Sequence, residues 1–460
     1  MGDRAASIKF YNQAVTAAAD KSSTVNLTQA WNLFNSACVV DPTHGLAWYQ
    51  TGNNASDMNF FHAAIAAYRR ALQCENDNDL KAKILCNLGW RLFTVGRLKE
   101  SHEVLKQSAD LDDKACNTWI NLSQVHGILN QPATALECAR KAYELSPDDL
   151  NSEICYAFAL LFARQFTAGF KHFEIRFKWK LQSFLQYPYP KWTGEPDTTV
   201  FLVADQGLGD TISFSRFVSA AAKRAKYLHL YVQPELLRLF QHAFIGIPNI
   251  NFLPFGQMMP QADAWSTFVS LPFALGLSDD EIRNAPDIEA PKFHLPTSWM
   301  MPDQKLHVGI AWAGSPLNDI NNHRSIPLEH FLELNSVPGV QLYSLQVGDR
   351  SEDANAAGGA ALIRNLVPYV RDVVDTVSLM RDLDLIITCE SALGHIASMA
   401  GKECWVAYSW LGRDYRLGPQ PCDDRLWTPK HRVFCQGEDL RWEPVFKEIA
   451  KALKERVKGR

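Results

Sequence analysis

From the N-terminus to about residue 179 apolar positions recur at helical spacing between short polar turns, and the same residue classes return in one phase. Trp48 is followed by Gly52, Ala64, Tyr68 and Ala71; Leu85 by Leu88, Gly89, Leu92 and Leu105; Trp119 by Leu122, Ala135, Ala142 and Pro147. Leu85 and Trp119 stand 34 residues apart, so the pattern predicts antiparallel helix pairs with small residues where the helices cross. Trp48 and Leu85 are 37 apart, which predicts a turn three residues longer around Glu75 to Leu80. Ala30, Phe34, Ala37 and Pro42 fit a copy one period earlier, and Ala157, Gly169 and Phe173 one period later. The expectation is an α-solenoid of about five repeats over residues 1–180.

This spacing is that of tetratricopeptide repeats. Such stacks present a concave face whose default role is to bind a peptide or pack against a neighbour, and a dimerisation role stays equally open.

Residues 181–198 form an aromatic linker with Phe184, Tyr187, Tyr189 and Trp192, where Pro188 and Pro190 oppose helix. Apolar runs then alternate with helical patterns, the signature of parallel α/β sheets. Strands are expected at Phe201–Ala204, Tyr227–Val232, Asn251–Pro254 and Ala264–Ser270 in a lobe over 199–300. A second lobe over 301–460 has strands at Leu306–Trp312, Gln341–Leu345, Leu383–Thr388 and Glu403–Ala407, and a closing helix at Trp442–Val457. Two Rossmann-like lobes place a ligand in the cleft between their strand ends.

Four strand-end loops carry the candidate chemistry. Gln206-Gly207-Leu208-Gly209-Asp210-Thr211 sets a carboxylate where a helix begins. Trp312-Ala313-Gly314-Ser315, with His323-Arg324-Ser325 nearby, offers a hydroxyl and a cation, and Gln346-Val347-Gly348 a carboxamide. In Cys389-Glu390-Ser391-Ala392-Leu393-Gly394-His395 a strand ends and Ser391 caps the next helix, whose N–H groups suit a diphosphate. Glu390 can accept hydrogen bonds from a sugar or ribose hydroxyl. His395 can serve the site or simply pack in the core, and Arg324 can bind phosphate or form a surface ion pair. Asp382-Leu383-Asp384 has the spacing of a metal motif but leads into a buried strand, so no metal site is expected.

Composition narrows the function classes. A net charge of −4 leaves no electrostatic footprint for strong non-specific DNA binding. The Met1 end lacks the apolar core of a signal peptide, and no stretch approaches the roughly 20 apolar residues of a membrane span. The ten cysteines include no Cys-x-x-Cys pair and fall mostly in apolar patterns, which points to a reducing, cytoplasmic setting.

In their order, Gln-Gly-Leu-Gly-Asp-Thr, Trp-Ala-Gly-Ser, His-Arg-Ser-Ile-Pro-Leu, Ser-Leu-Gln-Val-Gly, Asp375-Thr376 and Glu-Ser-Ala-Leu-Gly-His resemble bacterial and phage-type tetratricopeptide-repeat proteins with a heptosyltransferase-like (family 9) GT-B glycosyltransferase domain. The architecture is also similar to the O-linked N-acetylglucosamine transferases. The resemblance implies a metal-independent inverting glycosyltransferase with no cofactor and a nucleotide-diphosphate sugar as co-substrate. It implies Asp210 as general base and an acceptor pocket at Gln206, Gly207 and Gly209. Ser315 and Arg324 fall at the donor phosphates, the arginine standing in for a lysine; Gln346 lies near the nucleobase, and Glu390, Ser391, Ala392 and His395 cradle the nucleotide sugar. That last segment usually begins with Asp; Glu390 moves the carboxylate by roughly an ångström. The acceptor stays open among protein, peptide and glycan, with nucleic acid also open, as does a homo-oligomer. The alternative function is a non-catalytic repeat scaffold with a degenerate glycosyltransferase domain.

Overall fold

The computed structural model describes residues 2–19, 23–178, 187–293, 295, 306–315, 324–412, 414–417 and 425–459. It divides into two compact units, Met1–Ala159 and Leu160–Arg460. The linker residues 181–186, the boundary near residue 300, and His323 lie outside the described residues.

Unit one is a solenoid of helices α1 (Arg4–Ala17), α2 (Thr24–Val40), α3 (Gly45–Asp57), α4 (Phe61–Cys74), α5 (Asn78–Thr94), α6 (Leu98–Leu111), α7 (Cys116–Ile128) and α8 (Pro132–Leu145), with α9 (Leu150–Phe162) running to its end. They pair as α1 with α2, α3 with α4, α5 with α6, and α7 with α8. The expected crossings are present: a methyl group on Gly52 would stand 2.5 Å from the Tyr68 ring, and one on Gly89 2.4 Å from Leu105. Ala64, Tyr68 and Ala71 are buried beside them. The extra residues between Trp48 and Leu85 do not lengthen a turn. They lengthen α5, which has 17 residues against 13 in α3 and 13 in α7. Asp77 fixes its start early by accepting the Leu80 N–H at 2.7 Å.

Helix α10 (Phe166–Phe173), expected to close the array, belongs to unit two. Its apolar face cannot stay in water: Phe166 and Phe170 are buried in that unit's core, and Phe170 meets Phe214 edge-on at 5.5 Å.

Unit two contains two all-parallel sheets. In the first, β1 (Thr199–Val203), β2 (Tyr227–Val232), β3 (Ile250–Pro254) and β4 (Ala264–Thr267) are ordered β3-β2-β1-β4. The β4 run is shorter than expected because Thr267 caps a tight turn by accepting from Ser270 N–H. One face of this sheet packs Phe201, Val203 and Trp265 under Tyr187 and Tyr189, so the described end of the linker does pack through its rings.

The second sheet contains β5 (Leu306–Ala311), β6 (Val340–Ser344), β7 (Ile363–Asn365), β8 (Leu385–Cys389), β9 (Cys404–Tyr408) and β10 (His431–Cys435), ordered β10-β9-β8-β5-β6-β7. Four strands were expected; the two additions are the edges. The closing helix Glu443–Lys458 buries Val445, Phe446, Ile449 and Leu453 against this sheet. One apolar core runs from Leu202 and Leu230 of the first sheet to Ile386 and Val406 of the second. The fold is therefore a repeat solenoid followed by Rossmann-like α/β structure, with the carboxyl ends of strands available for ligands. Among the described residues no helix is long and apolar enough to cross a membrane.

Candidate functional site

Strand β1 ends at Val203, and the chain turns through Gln206 and Gly207 into helix α11 (Leu208–Phe214), which carries Asp210 in its first turn. Strand β8 ends at Cys389, and Ser391 caps helix Ala392–Met399 by accepting the Leu393 N–H at 3.3 Å. These two strand–turn–helix segments meet. A methyl group on Gly209 would stand 2.7 Å from His395 Cδ2 and 3.1 Å from Ala392 Cα. Gly209 thus permits helix-to-helix contact. Ser213 Oγ donates to the Gly209 carbonyl at 2.9 Å and shares a 3.0 Å hydrogen bond with His395 Nδ1. Burial and then the Arg416 charge push the His395 pKa down to about 3, so the ring is neutral. It both packs and makes a polar contact.

Asp210 is joined by two residues that sequence reasoning missed, Asp414 and Arg416. Arg416 Nη1 lies 2.7 Å from Asp210 Oδ1, while its Nε lies 2.8 Å from Asp414 Oδ1 and 3.1 Å from Asp414 Oδ2. Burial raises the Asp414 pKa, but Arg416 more than offsets it and holds the carboxyl below its ordinary range. Burial opposes the Arg416 charge, and Asp414 and Asp210 together hold that cation firmly charged. The available signal was an Asp-x-Arg pair in the loop after an apolar strand, a fifth strand-end loop beside the four already considered.

Glu390 opens the capped turn with an enclosed Oε2 that has no hydrogen-bond partner among the described residues. That oxygen lies 3.0 Å from where a Cβ on residue 412 would be, so Gly412 leaves it room. Burial, then Asp414, pushes the Glu390 carboxyl up to about 7, against the pull of Arg324 and Arg416. Arg324 is half-buried, its guanidinium laid against Gly314, where a Cβ would meet Nη2 at 2.7 Å; Ser315 is exposed beside it. Arg324 therefore contributes charge toward Glu390 from the β5 loop.

Gln346 is used differently from the expectation. Its Oε1 accepts the N–H groups of Trp312 and Ala313 at 3.0 and 2.9 Å, and its Nε2 donates to the Val347 carbonyl at 3.0 Å. The buried carboxamide holds two strand-end loops together and is not spare for a base. A cavity of about 310 Å³ lies nearby, lined by Ser344, Asn355, Arg364, Asn365 and Tyr369. Gln206 offers its backbone, its carbonyl accepting from Gln233 Nε2 at 3.1 Å. Asp384 Oδ2 accepts the His307 N–H at 2.7 Å, a structural use for half of the Asp-x-Asp pair.

Behind β1, Asp205 is fully enclosed with Arg176 Nη2 at 3.3 Å, and the same nitrogen donates to Thr267 and Ser270 hydroxyls at 2.9 and 2.7 Å. Glu174 joins Arg176 to Lys191 at 2.6 Å on each side. Burial lowers the Lys191 pKa to about 8. This network anchors the chain entering unit two to the loop that leads to Asp210.

In unit one a cavity of about 480 Å³ is lined by Gln50, Asn53, Asp57, Tyr68, Asn87 and Arg91. Asn53 Oδ1 accepts from Asn87 Nδ2 at 2.9 Å and from the Tyr68 hydroxyl at 2.8 Å. Val15, Ala18 and Phe34 also line it, so the cavity is mixed in character.

Residues 117–149 match the tetratricopeptide repeat family. Solved structures similar to the chain include MamA at 14% identity, covering 34% of this chain and 91% of that one with a TM-score of 0.31. YrrB, described as a tetratricopeptide-repeat protein with an unusual peptide-binding site, is 15% identical over 37% of this chain and 85% of its own, with a TM-score of 0.31. PilF of Pseudomonas aeruginosa is 20% identical over 37% of this chain and 75% of its own, with a TM-score of 0.32. No curated protein matches the chain. A tetratricopeptide repeat is thus found within the first unit, at residues 117–149.

Proposed function

We propose that the chain is an inverting glycosyltransferase of the two-lobed GT-B kind, using a nucleotide-diphosphate sugar and no metal. The observation that carries this reading is the meeting of α11, which bears Asp210 after β1, with the capped helix Ala392–Met399 after β8, where Gly209 packs against Ala392 and His395. This brings the element that bears a carboxylate to the helix whose N-terminus favours an anion.

In this reading the donor diphosphate lies at the N–H groups following Ser391, with Arg324 adding charge. The 310 Å³ cavity beside β6 and β7 has the size for a nucleobase. A sugar hydroxyl completes the unpartnered Glu390 Oε2, because an enclosed oxygen without a partner is costly. An acceptor hydroxyl attacks the anomeric carbon as Asp210 takes its proton. The new C–O bond forms, the bond to the diphosphate oxygen breaks, and the diphosphate leaves with that electron pair, stabilised by the helix and Arg324. The repeats present a polypeptide acceptor.

The test is incubation of the full chain with a panel of uridine, guanosine and cytidine diphosphate sugars and candidate protein acceptors. Nucleoside diphosphate release and acceptor mass are measured. A mass gain of one sugar supports the reading. Absence of both turnover and calorimetric binding across the panel overturns it in favour of a repeat scaffold.

A further inference from the structure

Arg416 forms an ion pair that a merely local fold contact would not require. It comes from the loop after β9, yet reaches across to α11 to hold one oxygen of Asp210, Nη1 to Oδ1 at 2.7 Å. Its other edge is held by both Asp414 oxygens. The described residues of that loop are tied at three points: Asp414 N–H donates to the Tyr408 hydroxyl at 2.6 Å, Arg164 donates to the Tyr415 carbonyl at 2.7 Å, and Leu426 N–H donates to the Arg416 carbonyl at 2.6 Å. The Tyr415 ring also meets Phe170 edge-on at 6.2 Å. An arginine gripped at its neck has its reach toward Asp210 set by its neighbours.

The Asp210 side chain stays partly exposed, at 31%. Gly207 places no side chain beside Oδ2; a Cβ would stand 3.5 Å from it. Asp210 therefore has one oxygen held by Arg416 and the other outside that grip. That division suits a base, since proton transfer needs the receiving oxygen at hydrogen-bond distance and in a fixed direction. Asp414 has a separate part. A guanidinium shared between two carboxylates holds the second without being neutralised by it alone, so it stays in place when Asp210 takes up a proton.

We propose that Arg416, braced by Asp414, is a positioning residue that orients the Asp210 carboxylate toward the acceptor hydroxyl. This deepens the glycosyltransferase reading and rests on it for its kinetic consequence, while the geometric part stands separately.

Full-length Arg416→Gln, Arg416→Lys and Asp414→Asn variants test it in two ways. With the best donor and acceptor from the panel, Arg416→Gln should lower kcat by about tenfold to a hundredfold while leaving the donor KM little changed. Arg416→Lys should recover part of the loss, and Asp414→Asn should show a smaller fall of the same kind. A rise in donor KM with kcat unchanged would assign Arg416 to donor binding and overturn the proposal. In an Asp210→Asn background Arg416→Gln should add no further loss; a full additional loss also overturns it. Hydrogen exchange gives the readout independent of catalysis. Arg416→Gln should raise deuterium uptake in both the 206–216 and 409–417 segments. A rise confined to 409–417 overturns the positioning claim. Wild-type chain that neither binds nor turns over any donor defeats the glycosyltransferase reading, and the exchange result still decides whether Arg416 holds Asp210.

Discussion

Gly209 lies so close to His395 that a methyl group on its Cα would stand 2.7 Å from the imidazole Cδ2. The other nearby atom is the backbone Cα of Ala392 at 3.1 Å, which cannot rotate away. Gly209→Ala should therefore force α11 and helix Ala392–Met399 apart. The expected cost is about 1–3 kcal/mol, the usual range for overpacking, read as a lowered denaturant midpoint. Transfer should fall more than stability does, because the same shift separates Asp210 from the capped helix. An unchanged midpoint would show that the two helices can slide freely.

Asp210→Asn removes the proton acceptor and keeps the shape. Sugar transfer should fall by about a hundredfold to ten-thousandfold, the contribution of general base catalysis. Calorimetric affinity for the donor should stay close to wild type, since the proposed diphosphate site lies on the helix after β8. Full retained turnover would remove Asp210 from the mechanism.

Glu390 makes stability depend on pH. Its folded pKa, pushed up to about 7, lies above the unfolded value, so the folded chain binds the extra proton. The benefit of that proton is fully present below the unfolded carboxylate pKa and is lost as pH rises toward 7. Urea denaturation of wild type and Glu390→Gln between about pH 4 and 8 should show wild type losing stability relative to the variant across this window. A constant difference would mean that Glu390 titrates as an ordinary carboxylate. Glu390→Gln should also keep its donor affinity better than Glu390→Ala, because the amide retains a polar partner for the sugar hydroxyl.

Gln346→Ala should act on the loops and not directly on a nucleobase. It leaves the Trp312 and Ala313 N–H groups without their acceptor, at a cost on the order of 1–3 kcal/mol for each enclosed donor. Stability should fall first. Donor discrimination between uridine and guanosine diphosphate sugars should be unchanged, and a changed preference would return Gln346 to the base.

The repeats were legible because their signal is redundant: small residues at the crossings, such as Gly52 and Gly89, recur with their bulky partners. Strand Tyr227–Val232 was legible to the residue, its burial alternating along the run. The edge strands were not. Ile363–Asn365 is only 3 residues long, and in His431–Cys435 a single sheet neighbour leaves Arg432 exposed within the run. In the site, Asp210 and Ser391 could be found because each follows an apolar strand. Asp414 and Arg416 sit where no periodicity operates, and only the fold brings Arg416 to Asp210 from 206 positions along the chain. Gln346 showed the converse. A polar residue at a strand end suggested a ligand, but backbone N–H groups required it first.

Helix α10 sets a limit on modularity. By sequence it completes a repeat, but Phe166 and Phe170 fill the α/β core, and Arg164 just before it holds the Tyr415 carbonyl. Deleting the whole array to residue 180 would take α10 with it, open a hole beside Phe214, and release the loop that carries Arg416. The boundary between the two units thus falls ahead of α10, and the helix that the sequence pattern assigns to the repeats is packed as part of the α/β core.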